Sequence, residues 1–187
     1  MMEVQPIRDR ETIERIKELM IFDGKSRELL LFTIGINSAL RISDILRLKW
    51  GDLKRDPVKI KERKTGKWKE FPLAPSVKKV LNEEFPNWYN YPDNSYIFVS
   101  ESHRNRGRVW SRQYVWQFLN KYAKLAGWKE SVGTHTLRKT WGYHAYKAGY
   151  PLELIQKAMN HSTPSITLRY IGITREQIFD AYLSLSL

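Results

Sequence analysis

Val58-Lys59-Ile60-Lys61-Glu62-Arg63-Lys64-Thr65-Gly66-Lys67-Trp68-Lys69-Glu70-Phe71-Pro72-Leu73 is where the chain stops reading as helix. Val58-Lys59-Ile60 and the run from Trp68 to Leu73 alternate in strand fashion on either side of the turn-prone Lys64-Thr65-Gly66-Lys67. A short antiparallel hairpin is predicted there. Upstream the period is helical: Ile13, Ile16, Leu19 and Met20 share one face behind the cap candidate Asp9, in a helix expected over Asp9–Phe22. Ser26 is expected to cap a second helix rich in Leu and Ile, and a third is expected from Ser43 with Ile45, Leu46 and Leu48 turned inward.

Downstream, a helix is expected over Pro75–Phe85, a strand at Tyr96-Ile97-Phe98-Val99, and a helix capped by Ser111 that ends before Gly127. Thr134 is read as the cap of a helix stopped by Gly149. Pro151 and Thr163-Pro164 open two more, and Thr174-x-x-Gln177 is a capping box ahead of a last one. The predicted fold class is mainly α with a small antiparallel β-sheet (α+β).

The 187 residues hold 32 Lys and Arg against 20 Asp and Glu, a formal charge of +12, with 42% hydrophobic and 28% charged residues. That composition suits one folded domain with its own core, and no Gly/Ser linker or repeat divides the chain, so residues 1–187 are expected to form a single domain. The excess positive charge makes a polyanion the first partner to consider and acidic lipid the second. The longest nearly continuous apolar run, Leu29–Ile36, falls well short of the ~20 residues that cross a bilayer. The absence of cysteine excludes disulfides, thiolate nucleophiles and Cys-based zinc sites. No membrane association is expected, and the expected location is cytoplasmic.

The basic residues cluster. Lys54, Arg55, Lys59, Lys61, Arg63, Lys64, Lys67 and Lys69 crowd the hairpin, interrupted by Asp56 and Glu62, while Arg104, Arg106, Arg108 and Arg112 crowd a later loop. With Trp50, Trp68 and Trp110 interleaved, these groups suit phosphate neutralisation on double-stranded DNA, and Lys61, Arg63, Lys67, Arg104, Arg106, Arg108 and Arg112 are the DNA-binding candidates. In His135-Thr136-Leu137-Arg138 the His and Arg, three apart near a helix start, can converge on one anion.

Ala39-Leu40-Arg41-Ile42-Ser43-Asp44-Ile45-Leu46-Arg47-Leu48-Lys49-Trp50-Gly51-Asp52, Lys64 in its turn, His135-Thr136-Leu137-Arg138, and Met159-Asn160-His161-Ser162 through Thr167-Leu168-Arg169-Tyr170 stand in the order of the phage integrase family. From about Ser26 to Ile173 the chain resembles the catalytic domain of tyrosine recombinases. The resemblance implies that Arg41, Lys64, His135, Arg138 and His161 are catalytic, that Tyr170 is the nucleophile, and that Asp44 supports the site. Two positions depart from the pattern. Asn160 stands where Gly is common and is expected to alter the local turn, and Lys139 stands where a histidine often follows the second arginine.

The implied function is site-specific DNA recombination, in which strands are cleaved and rejoined through a 3′-phosphotyrosyl intermediate. Each residue type fits the reaction. A tyrosine hydroxyl, with an ordinary pKa of about 10, is mostly protonated near neutrality and gains from nearby cations as it ionises. Arg41 and Arg138 offer paired N–H donors to the non-bridging oxygens, and His161 offers one more. His135 is expected to accept the tyrosine proton or to hold the arginines, and Lys64 to protonate the leaving 5′-oxygen. The phosphotyrosyl bond keeps the energy of the broken ester, so no cofactor, ATP or metal is expected.

Two alternatives share parts of this pattern: a non-catalytic or regulatory DNA-binding module, and strand relaxation of the type IB topoisomerase kind. A polycarboxylate metal nuclease is disfavoured because Asp44, Asp52, Asp56 and Glu62 either match the family pattern or alternate with Lys and Arg. The resemblance further implies a homotetramer assembled on DNA from a protein that can be monomeric in solution. The expected domain organisation lacks the N-terminal core-binding domain common in such enzymes, as in a fragment or a short single-domain recombinase. The apolar segment 175–187, with Ile178, Phe179, Tyr182, Leu183, Leu185 and Leu187, is expected to form a C-terminal helix that packs on its own domain or is exchanged between protomers.

Overall fold

Asp9 starts the first helix as its position suggests: its carboxylate accepts the backbone N–H groups of Glu11 and Thr12, and α1 (Arg10–Phe22) turns Ile13, Ile16 and Met20 inward. The computed structural model describes residues 4–172, 179 and 182–185. After α1 come α2 (Ser26–Ser38), the one-turn helices α3 (Ile42–Ile45) and α4 (Trp50–Leu53), strands β1 (Val58–Lys61) and β2 (Trp68–Phe71), α5 (Pro75–Glu84), α6 (Arg112–Leu125), α7 (Thr136–Lys147), α8 (Leu152–Ala158) and α9 (Pro164–Ile171). The fold is mainly α with one small antiparallel hairpin, as the sequence pattern predicts. Among the described residues, no helix is long and apolar enough to cross a membrane.

α2 is the central helix, buried on most sides and packed against α1, α5 and α7. Its crossing with α7 is close because Gly35 has no side chain: a Cβ there would lie 2.5 Å from Leu137 Cδ1. A second, smaller cluster of Ala39, Ile155, Met159 and Ile171 fixes α8 and α9 to α7, with Tyr170 packed at its edge. Both contacts position the site, because they set where the start of α7 and the end of α9 meet the C-terminal end of α2.

Several local expectations change. Ser26 is the first residue of α2 rather than its cap, because its hydroxyl donates to Glu84 Oε2 at 2.6 Å. α3 begins at Ile42, and α7 begins after His135 rather than after Thr134; the Thr136 hydroxyl accepts the Gly133 N–H instead. Tyr96–Val99 forms no continuous ladder. Isolated bridges from Tyr96 to Lys49 and from Val99 to Val109 hold its ends, and the adjacent Ile97 and Phe98 are both enclosed. The Thr174–Gln177 capping box lies outside the described residues, as does most of segment 175–187.

The hairpin pairs Val58 with Phe71, Ile60 with Lys69 and Lys61 with Trp68. Trp68 and Phe71 are three apart and cannot share one face of a strand. Phe71 faces inward, Trp68 is 62% exposed beneath the Lys59 ammonium, and Lys69 takes the inward place. The inner row therefore runs from apolar Val58 and Phe71, through Ile60 and Lys69, to Glu62 at the tip.

Candidate active site

Ala39 ends α2 in the left-handed region (φ 54°), and Arg41 then leaves in extended conformation. A non-glycine residue in that region costs roughly 1–2 kcal/mol. Two cations offset the cost by sharing the Ala39 carbonyl: Arg138 Nη1 donates to it at 2.7 Å and Lys69 Nζ at 3.2 Å. The corner that presents Arg41 is thus fixed from behind. Asp44, one turn on, accepts the Arg63 N–H at 2.9 Å through Oδ1, which ties the hairpin to α3.

Arg138 is 1% exposed, and its Nη2 donates to the Met159 carbonyl. Burial pushes its pKa down to about 10, with nearby Arg41 adding to the effect, so it stays charged near neutrality. The Met159 carbonyl belongs to the turn between α8 and α9. There Asn160 adopts φ 48°, which asparagine tolerates better than most side chains. His161 follows, its Nδ1 3.1 Å from the Thr167 hydroxyl. Burial lowers its pKa to about 4, helped by Arg138 and Arg41, so the ring is neutral near pH 7. In the tautomer where the Thr167 hydroxyl donates to Nδ1, the ring proton is on Nε2 and can donate outward.

Tyr170, on α9, closes the site. Its hydroxyl is hydrogen-bonded with His135 Nδ1 at 2.8 Å, and its ring lies 4.7 Å from the His161 ring. Two cations face that ring, with Arg138 Cζ 5.9 Å and Lys139 Nζ 5.6 Å from its centroid. Burial first, then Arg138, Lys139, Arg41 and Lys64, hold the His135 pKa below its ordinary value. His135 is therefore held neutral within hydrogen-bond reach of the phenol, where it can serve as a base.

The structure thus gathers Arg138, His135, His161 and Tyr170 directly. Arg41 stands beside Arg138 in ion-pair contact with Glu62 at 2.8 Å, and Lys64 is on the exposed hairpin turn, close enough to His135 to affect its charge. Cations outnumber carboxylates: Arg41, Lys69 and Arg138 stand around Glu62 and Asp44, and Lys139 adds a further cation beside Tyr170. Such an excess in a low-dielectric setting favours a bound anion.

Lys61, Arg63 and Lys67 stand exposed beside this site on the hairpin. The Arg104–Arg112 loop does not join it. Arg108 lines a cleft with Gly24–Glu28 at the N-terminal end of α2, and a 13-residue helix places that end roughly 20 Å from Ala39. The sequence reading treats Glu62 as an interruption of a basic run and gives Lys69 only a place in that run. Extending the two-residue period from Val58 and Ile60 to Glu62, and counting back from Phe71 to Lys69, is the signal that locates both inside.

Solved structures share this arrangement of elements. The crystal structure of XerA recombinase superposes over 100% of this chain and 66% of its own, with a TM-score of 0.76 at 19% identity. The catalytic domain of bacteriophage HP1 integrase matches over 99% of this chain and 97% of its own, with a TM-score of 0.60 at 19% identity. Both likenesses concern the fold of a tyrosine recombinase catalytic domain. The profile of the phage integrase family matches residues 9–177, and the chain belongs to that family. A probable integrase/recombinase of Bacillus subtilis, YoeC, is 41% identical over 96% of this chain and 95% of its own length. The tyrosine recombinase XerA of Pyrococcus furiosus is 27% identical over 91% of this chain but 59% of its own, so the chain spans about three-fifths of that relative.

Proposed function

We propose that this chain cuts and rejoins double-stranded DNA at specific sites, with Tyr170 attacking the scissile phosphate. The observation that carries this reading is the 2.8 Å hydrogen bond between the Tyr170 hydroxyl and a neutral His135, beside two cations. As Tyr170 Oη bonds to phosphorus, its proton passes to His135 Nδ1. Arg41, Arg138 and the Nε2–H of His161 carry the charge on the non-bridging oxygens, and the 5′-oxygen leaves with a proton from Lys64. A 5′-hydroxyl of a second strand then attacks the 3′-phosphotyrosyl bond, and the protons return. Atoms and charge balance without ATP or a metal.

Duplexes selected from a randomised library by covalent capture supply the substrate, nicked beside the cleavage point so that the short product diffuses away. Wild-type protein is expected to form a denaturant-resistant protein–DNA adduct. Its rate should fall as pH drops through the His135 pKa, below the ordinary 6.5, because protonated His135 cannot accept the phenolic proton. His135→Gln should lose that acid limb. DNA retention without any adduct would favour a binding module instead.

The hairpin cations and the Arg104–Arg112 loop, set far apart, fit two stretches of duplex backbone, and the place of action is DNA inside the cell. The assembled form is a tetramer on DNA in which segment 175–187 docks on a neighbouring protomer. Tyr182 and Leu183, each 78% exposed, support docking in trans over packing on the same domain. Deleting 175–187 should spare binding to one site and abolish higher-order complexes in sedimentation on DNA. Unchanged assembly would count against exchange.

A further inference from the structure

Glu62 is a buried carboxylate, 1% exposed, that takes no part in the chemistry above. It nevertheless contacts two segments that each carry a proposed catalytic residue and lies near a third. Its Oε1 lies 2.8 Å from Arg41 Nη1, in an ion pair that lacks hydrogen-bond geometry. Its Oε2 accepts the Thr65 hydroxyl at 2.7 Å, next to Lys64, while Asn160, next to His161, lies near the same carboxylate without hydrogen-bond geometry. Burial alone would raise the carboxyl pKa, but Thr65, Asn160 and Arg41 together outweigh it and keep the group ionised.

The turn is closed on the same residue. The Glu62 carbonyl accepts the Gly66 N–H and the Glu62 N–H donates to the Lys67 carbonyl, both at 2.9 Å, while Thr65 Oγ1 accepts the Lys67 N–H at 3.3 Å. Thr65 Oγ1 thus links the shape of the turn that carries Lys64 to the carboxylate that faces Arg41. Losing the Thr65 hydroxyl frees the turn that carries the proton donor, whereas losing the Glu62 carboxylate frees both that turn and the phosphate-binding guanidinium.

We propose that Glu62, through Thr65, is a positioning residue that couples the Lys64 turn to Arg41. The proposal rests on the reading of Lys64 as general acid and Arg41 as phosphate ligand. The test compares cleavage of two nicked duplexes of the captured sequence, one with the normal 5′-oxygen at the scissile bond and one with a 5′-bridging sulfur. A thiolate leaves without a proton, so only defects in proton donation are rescued by sulfur.

Lys64→Ala sets the scale, slow on oxygen and near wild type on sulfur. Thr65→Val should be about 10-fold slow on oxygen and recover on sulfur, whereas Thr65→Ser, which keeps the hydroxyl, should match wild type. Glu62→Gln keeps the shape but loses the ion pair, so it should be about 100-fold slow on oxygen and regain only about 10-fold on sulfur, because the Arg41 defect remains. Thr65→Val equally slow on both substrates, or unaffected on both, overturns the coupling even if Glu62→Gln fails to fold. Lys64→Ala left slow on sulfur overturns the general-acid assignment beneath it, a different failure with a different signature.

Discussion

Tyr170→Phe is expected to bind its DNA site with wild-type affinity and to form no covalent adduct. The substitution removes one oxygen and its 2.8 Å hydrogen bond to His135, and leaves the ring against His161 and the two cations. Affinity for a duplex comes mostly from phosphate contacts, none of which the hydroxyl supplies. The lost hydrogen bond, at a partly exposed position, costs on the order of 1 kcal/mol, too little to unfold the domain. Cleavage, by contrast, loses its nucleophile outright. Filter binding and denaturing electrophoresis on the same nicked duplex separate the two effects. An adduct at a comparable rate would transfer the role to another of the ten tyrosines, with Tyr143, Tyr146 and Tyr150 on or just after α7 as the next to test.

The sequence makes the helices legible because their ends carry local signals: Asp9 and Ser111 accept first-turn N–H groups, and Gly149 and Gly172 take positive φ just past helix ends. The meeting of His135, Arg138, His161 and Tyr170 is legible as well, since their motifs stand in order along the chain. Glu62, Lys69 and Lys139 are less so. Charged residues alternating in a basic hairpin read as a solvated face, and only the tertiary packing of the hairpin against the corner between α2 and α3 turns Glu62 and Lys69 inward. Lys69 pays for burial in protonation. Burial, then Arg138, lowers its pKa to about 7, so it helps to hold Ala39 as a cation mainly below that pH. Asn160, the departure from the family pattern, sits at φ 48°, a conformation that asparagine accepts more readily than most side chains. The placement of the Arg104–Arg112 loop at the far end of α2 has no signature in local sequence at all.

Arg138→Lys should lower cleavage by about 10³-fold or more and also destabilise the fold, although the formal charge is unchanged. Arg138 does two tasks with one planar group. Its two Nη atoms bind the Ala39 and Met159 carbonyls, which belong to different segments, while the same guanidinium stands over the Tyr170 ring. A lysine ammonium, a single point on a flexible stem, cannot bridge both carbonyls and still face the phosphate. At least one enclosed carbonyl then loses its donor, a cost of about 1–3 kcal/mol, which for a chain of this size is a fall of roughly 2–12 °C in Tm. The corner holding Arg41 also loosens, because Ala39 keeps only Lys69. Arg41→Lys provides the contrast: Arg41 is more open and its ion pair is with Glu62, so that change should slow cleavage with a much smaller fall in Tm. Thermal unfolding and single-turnover cleavage of the two variants separate the roles. Equal Tm losses would mean that Arg138 does not hold the corner, and full activity of Arg138→Lys would remove it from the phosphate.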